Sequence, residues 1–167
     1  GCRVGALTAN KPMSAEHRAR EPRPFVPAKG RCFIDTNVLV YAHASDEPLK
    51  QTRALSLLGL LHAQGRAVLS TQVLQEFCNV ALKKLGMNAM QVLAQLHFLK
   101  QLDVVMLTPD LMSQALDLHQ QHRLSFYDAM IVSAAQANHC STLYSEDFNA
   151  GQVLRGVKLI NPFAELS

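Results

Sequence analysis

"RCFIDTNVLVYA", residues 31–42, sets an apolar run directly against Asp35, with Thr36 and Asn37 immediately behind it. Cys32, Phe33 and Ile34 read as a short strand buried on both faces, and "NVLVYA" as the first turn of a helix. Strands this short and uniformly apolar belong to sheets covered by helices on both sides. The chain downstream keeps the same rhythm. "EPLKQTRALSLLGLLHAQG" carries Pro48 near a helix start, Gly65 past its end and an apolar face between them. "AVLS" reads as a second strand and "TQVLQEFCNVALKKLG" as a helix closed at Gly86. "NAMQVLAQLHFLKQL" opens with Asn88 and Gln91 in capping-box spacing, and "DVVML" follows as a third strand. Thr108, Pro109 and Asp110 make a strong helix start, and Ser125 stands as cap to Asp128 in "SFYDAMIVSAAQANH". "STLYSED" and "VKLINP" supply two more strands. The order predicts an α/β three-layer domain with a central, mainly parallel sheet of about five short strands flanked by helices.

Composition narrows the class. The chain is 49% hydrophobic and 17% charged over 167 residues, enough for one domain with a real core. It has no apolar stretch near the length of a membrane span and no apolar signal segment at its start, which places it in the cytoplasm. Cys2, Cys32, Cys78 and Cys140 stand far apart, without the close spacing of a thiolate metal site. The net charge of +3 is unevenly held: residues 1–31 carry seven Lys or Arg against two Glu, so the remainder is acidic. Residues 1–30 therefore read as a basic, Pro-containing leader, an arm, an extension upstream of Met13 or a remnant of cloning, and residues 31–167 as the domain.

In open parallel sheets the working crevice lies beyond the carboxyl ends of the strands. Four acids are expected there: Asp35 ending the first strand, Asp147 ending "TLYSED" in the same manner, Glu76 in the opening turns of the helix after "AVLS", and Asp128 in the first turn after Ser125. Taken singly, Asp128 can be the capping partner of Ser125, Glu76 a solvated face residue and Asp147 a loop acid. Together, carboxylates converging on partly buried strand ends repel one another unless they share protons or hold a cation. Oxygen donors without histidine or thiolate favour Mg²⁺ or Mn²⁺, and an ion so held suits phosphoryl hydrolysis.

"FIDTNVLVYA", "STQVLQEF", "SFYDAMIVSAA" and "LYSEDFNAGQ" resemble the four acidic motifs of PIN-domain ribonucleases, most closely the VapC-type toxins of toxin–antitoxin pairs. The likeness runs from about residue 31 to 163. It implies a metal-dependent endoribonuclease with Asp35, Glu76, Asp128 and Asp147 as the acidic cluster. Asp35 and Asp128 would be the principal metal ligands, and Thr36, Asn37, Ser125 and Ser145 their hydrogen-bonding neighbours. Glu146 competes with Asp147 for the fourth place. The implied partners are an RNA substrate, a cognate antitoxin that covers the acidic site, and a second copy of the chain. The leader departs from the family, whose members usually begin just before the first strand.

Other residues admit weaker readings. His17, His43, His62, His97, His119, His122 and His139 show no zinc-type pairing. Lys83 and Lys84 suit the negative end of a helix, and with Arg53, Arg123 and Arg155 are possible phosphate contacts. Phe126 or Tyr127 could stack on a base, while the other packs inward. The apolar "LSLLGLLHA" helix offers a surface for the antitoxin. Three other functions compete: a silent PIN-fold binding module, a housekeeping RNA-processing nuclease, and a phosphatase using Asp35 as nucleophile. Asn37 stands where the phosphatase would want a second Asp.

Overall fold

The computed structural model describes residues 25–166. The leader up to residue 24, with Cys2, Met13 and His17, lies outside the described residues. β1 (Cys32–Ile34) is buried at every position and stops at Asp35, the N-cap of α1 (Thr36–Tyr41). Then follow α2 (Pro48–Ala63), β2 (Ala67–Ser70), α3 (Thr71–Lys83), α4 (Ala89–Leu99) and β3 (Asp103–Val105). α5 (Pro109–His122), α6 (Phe126–Ala137), β4 (Thr142–Tyr144), β5 (Val153–Leu154), β6 (Val157–Ile160) and a short 3₁₀ turn at Ala164–Leu166 complete the chain. The local start signals act as their chemistry requires. Ser70, Thr108 and Ser125 each accept a hydrogen bond from the backbone N–H three residues on, and Asn88 and Gln91 close a reciprocal capping box.

The sheet runs β3-β2-β1-β4-β6-β5, parallel everywhere except at β5. It has six strands where about five were expected. The extra one is the two-residue β5, antiparallel to β6 across a tight turn in which Arg155 and Gly156 take φ of 47° and 81°. Positive φ at both central residues gives the mirror-image turn that suits the right-handed twist of a hairpin.

The order in which strands are added reverses between β1 and β4. From β1 the path moves outward through β2 to β3, then crosses back to β4 on the far side of β1. The right-handed rule for parallel crossovers would put α1 to α4 on one face and α5 and α6 on the other, and the helix packing divides in the same way, α1 against α2 and α3, α3 against α4, and α5 against α6. α6 packs across β2, β4 and β6 through a nearly continuous buried run, Ala129–Ala135. The carboxyl ends of β1 and β4 thus flank the topological switch point, where α/β sheets open a crevice.

The last residues of the leader lean on this body. The Ala28 N–H donates to the Tyr144 hydroxyl at 2.7 Å, and both Arg66 terminal nitrogens donate to the Ala28 carbonyl. Phe25 meets the Tyr144 ring edge-on and lies beneath the Arg53 guanidinium. Of the "LSLLGLLHA" helix, Leu57 and Leu61 enter the core, while Leu55 and Leu60 stay exposed. No helix among the described residues is long and apolar enough to cross a membrane.

Candidate active site

Asp35 begins the site because β1 ends there. Its backbone is extended, its side chain accepts from the Thr36 N–H at 2.7 Å, and it is only 3% exposed. The second carboxylate oxygen accepts from the Ser145 hydroxyl at 2.7 Å and, more weakly, from the Asn37 amide at 3.4 Å. Burial pushes Asp35 up to about 6; the bonds from Ser145 and Thr36 pull against that, and the negative charges of Asp147 and Glu76 add to it.

The parallel register sets Ile34 beside Tyr144, so the residue that leaves β4 level with Asp35 is Ser145. Asp147 does not end β4 in the manner of Asp35: the strand stops at Tyr144, three residues earlier. Asp147 reaches the site from the loop instead, where its Oδ2 accepts from Asn37 Nδ2 at 3.1 Å and its N–H donates to Ser145 Oγ at 3.1 Å. Asn37 is the hub. Its amide also donates to Ser145 Oγ at 3.2 Å, while its Oδ1 accepts from the Glu146 N–H at 3.2 Å. An N–H on one side and carboxylates on the other fix which way that amide points.

Glu146 turns elsewhere. Its carboxylate accepts from Lys50 Nζ and from the Tyr41 hydroxyl, each at 2.7 Å. Burial acts to raise Glu146, but those two donors and the lysine charge outweigh it and hold the carboxyl below its usual range. The geometry therefore separates the neighbouring acids, with Glu146 in a salt bridge and Asp147 beside Asn37.

Glu76 comes from α3. Oε2 accepts from the Thr36 hydroxyl at 2.8 Å and Oε1 from Gln72 Nε2 at 3.1 Å. Gln72, buried one turn earlier on the same helix, also donates to the Tyr127 carbonyl at 3.3 Å. One amide thus ties the helix of Glu76 to the first turn of the helix of Asp128. Asp128 donates its N–H to Ser125 Oγ at 3.1 Å. Burial raises Asp128, a hydrogen bond with Ser125 opposes this, and Asp147 and Glu76 raise it further. Asp147 and Glu76 thus act on both Asp35 and Asp128, so all four acids share one electrostatic neighbourhood. Among the described residues none of the four makes a salt bridge.

The donor set consists of carboxylates, hydroxyls and carboxamides, which suits a hard divalent cation. A carboxylate has about four lone-pair positions, so the three bonds to Asp35 leave it room for a ligand. As they stand, no three His, Cys, Asp or Glu side chains among the described residues are close enough to hold an ion. The acids repel one another, and drawing them together would require a cation's charge. Beside the cluster, Tyr127 is 66% exposed while Phe126 packs against the core, the division their successive helical positions allow. Arg53 is engaged by the Pro162 carbonyl, and Arg155 by Gln121. Three of the histidines are engaged elsewhere: His43 packs on Phe77, His62 on Phe98, and His119 bonds the Leu124 carbonyl.

The PIN-domain family model matches residues 32–153 of the sequence. The chain belongs to the PIN-domain family. Solved structures with the same fold include a toxin–antitoxin complex from Klebsiella pneumoniae, 19% identical with a TM-score of 0.62, the match covering 78% of this chain and 97% of that one. VapC20 of Mycobacterium tuberculosis, described as a sarcin–ricin loop cleaving toxin, is 21% identical with a TM-score of 0.58, covering 74% and 97%. VapBC2 of Rickettsia felis, solved on a DNA fragment from its promoter, is 21% identical with a TM-score of 0.57, covering 77% and 96%. No curated protein sequence matches the chain.

Within this PIN domain the sequence reading missed Gln72, Lys50 and Tyr41. Gln72 had a signal, since it stands four residues before Glu76 on one helix face. Lys50 and Tyr41 had none, because their partner Glu146 lies about a hundred residues away.

Proposed function

We propose that this PIN domain is a divalent-metal-dependent endoribonuclease and the toxin of a toxin–antitoxin pair. The observation that carries this reading is Asp35: a buried carboxylate, raised to about 6, facing other acids across the switch point with no cationic side chain among the described residues paired to it. Such an arrangement destabilises the fold and is retained where it serves binding or catalysis. Asp35 and Asp128 would be the principal ligands of Mg²⁺ or Mn²⁺, with Glu76 and Asp147 completing the set. The bound ion would supply charge for a phosphodiester oxygen, an acidified water and a counter-charge for the leaving oxygen.

The chain's own residues set the geometry for this chemistry. Thr36 and Gln72 hold the two oxygens of Glu76. Ser145 and Asn37 orient Asp35 and Asp147 relative to each other. Ser125 fixes the first turn that carries Asp128. The exposed ring of Tyr127, one residue before Asp128, offers a face to a nucleotide base.

The toxin assignment draws on the fold neighbours, two of which are toxin–antitoxin assemblies. A cytoplasmic location, a cognate antitoxin and a homodimer go with it. The apolar groove between α2 and α4, lined by Leu39, Leu55, Leu58, Phe77 and Phe98, is a seat for the antitoxin. In the deciding experiment, purified protein with Mg²⁺ or Mn²⁺ cuts single-stranded RNA, and Asp35→Asn or Asp128→Asn abolishes cutting in a folded domain. Undiminished cutting in a chelator, or by the double variant, would overturn the reading.

A further inference from the structure

Asp147 is the acid with the least secondary structure behind it. Asp35 caps a helix, and Glu76 and Asp128 lie within helices, but Asp147 sits in the loop between β4 and β5. A ligand on a loop needs a second set of contacts to hold it in place. Its neighbour Glu146 provides them. Lys50 Nζ donates to Glu146 Oε1 at 2.7 Å and to the Tyr41 hydroxyl at 3.0 Å, and that hydroxyl donates to Glu146 Oε2 at 2.7 Å. The three polar groups form a closed triangle, one corner on α1, one on α2 and one on the loop.

The triangle is sheltered as well as closed. The Lys50 and Glu146 side chains are 21% and 30% exposed, and the ammonium lies 4.4 Å from the centre of the Tyr41 ring. Tyr41 in turn packs edge-on against Phe163. Partial burial makes such a pair stronger and more rigid than an open surface ion pair. The Glu146 N–H, donated to Asn37, joins the triangle to the hub that also holds Asp147.

We propose that Lys50, Tyr41 and Glu146 form a clamp that positions Asp147 in the acid cluster, an inference that rests on reading that cluster as the ion-holding site. None of the three touches a reacting atom, so they are positioning residues. Release of the clamp frees the loop on both sides of Glu146 and moves Asp147 away from Asn37. A displacement of about 1 Å in a catalytic group can cost on the order of 10²-fold in rate.

The test compares Lys50→Met, Glu146→Gln and Lys50→Arg with the parent chain. Amide hydrogen exchange is read first, without ion or RNA, at Glu146 and Asp147, whose N–H groups bond Asn37 and Ser145. Lys50→Met and Glu146→Gln should speed exchange there by about tenfold or more while Val68 in β2 keeps its protection; Lys50→Arg should restore most of the loss. Mn²⁺ should then bind more weakly, and RNA cleavage should lose about 10- to 100-fold in kcat with KM nearly unchanged. Unchanged exchange at residues 146 and 147 in both charge-removing variants would overturn the clamp. So would faster exchange with full kcat and Mn²⁺ affinity. A parent chain that cuts no RNA and binds no Mn²⁺ would overturn the nuclease reading and with it the clamp's role in holding an ion. A parent chain that cuts RNA beside unchanged exchange would remove the clamp alone.

Discussion

The two ends of the central sheet treat charge in opposite ways. At the amino end Arg31 pairs with Asp103 and donates to the Asn138 carbonyl, while Arg66 donates twice to Ala28. The thiols there are held in the protonated form: burial pushes Cys140 up to about 12 and raises Cys32 as well. At the carboxyl end four acids share one neighbourhood, and no cationic side chain among the described residues pairs with any of them. The same strands run between the two ends, so the fold does not require this imbalance. An end built for stability neutralises its charges, whereas an end built for binding leaves them for a ligand.

The largest break in this contrast should come from the acids. Asp128→Asn should reduce Mn²⁺-dependent RNA cleavage by about 10³-fold or more while the circular dichroism spectrum stays that of the parent. A variant within tenfold of the parent would remove Asp128 from the site.

Acidity should have the next effect, read in metal-free protein. The folded value of Asp35 is about 6 against 3.8 for the free side chain, so between those values the folded state keeps a proton that the unfolded chain releases. The contribution of Asp35 to stability is then fully present below about pH 4 and is lost as pH rises through about 6, a change of order 2–3 kcal/mol. Denaturant titrations from pH 4 to pH 7 check this, and Asp35→Asn should flatten the slope.

Gln72→Ala should cost about 1–3 kcal/mol, because Glu76 and the Tyr127 carbonyl lose a buried donor. It should also slow cleavage, which thermal unfolding and kinetics on one preparation would show together. Asp103→Asn at the amino end is the smallest case. Its ion pair is substantially exposed, at 39% and 51%, so the loss should stay below about 1 kcal/mol, with cleavage within twofold of the parent.

What the sequence disclosed follows from the range of each interaction. Asp35 after an apolar strand, Ser125 before Asp128, the Asn88–Gln91 box and the Thr108–Pro109 start are all local patterns, and each stands where its spacing put it. The expectation of acids at one edge came from the rule that a parallel sheet opens its crevice at its strand ends; Asp147 and Glu76 do act on both Asp35 and Asp128, yet no three of the acids among the described residues stand close enough to hold an ion as they are. β5 was hidden because two residues carry no periodicity, and its pairing depends on a turn with two positive φ angles. The division between Glu146 and Asp147 was hidden for another reason. Adjacent acids look alike in sequence, and only Lys50 and Tyr41, brought from α2 and α1, distinguish them. The contact of Phe25 and Ala28 with Tyr144 likewise spans more than a hundred residues.

Thermal unfolding of the parent and Asp35→Asn at pH 7.5, each with and without Mn²⁺, tests most directly whether the carboxyl end is an acid cluster awaiting a cation. Without the ion Asp35→Asn should melt higher than the parent, because a buried charge is gone while the cap to Thr36 can remain. Addition of Mn²⁺ should raise the parent's melting temperature and leave the variant nearly unmoved. A variant that melts lower than the parent, together with a parent indifferent to Mn²⁺, would contradict it.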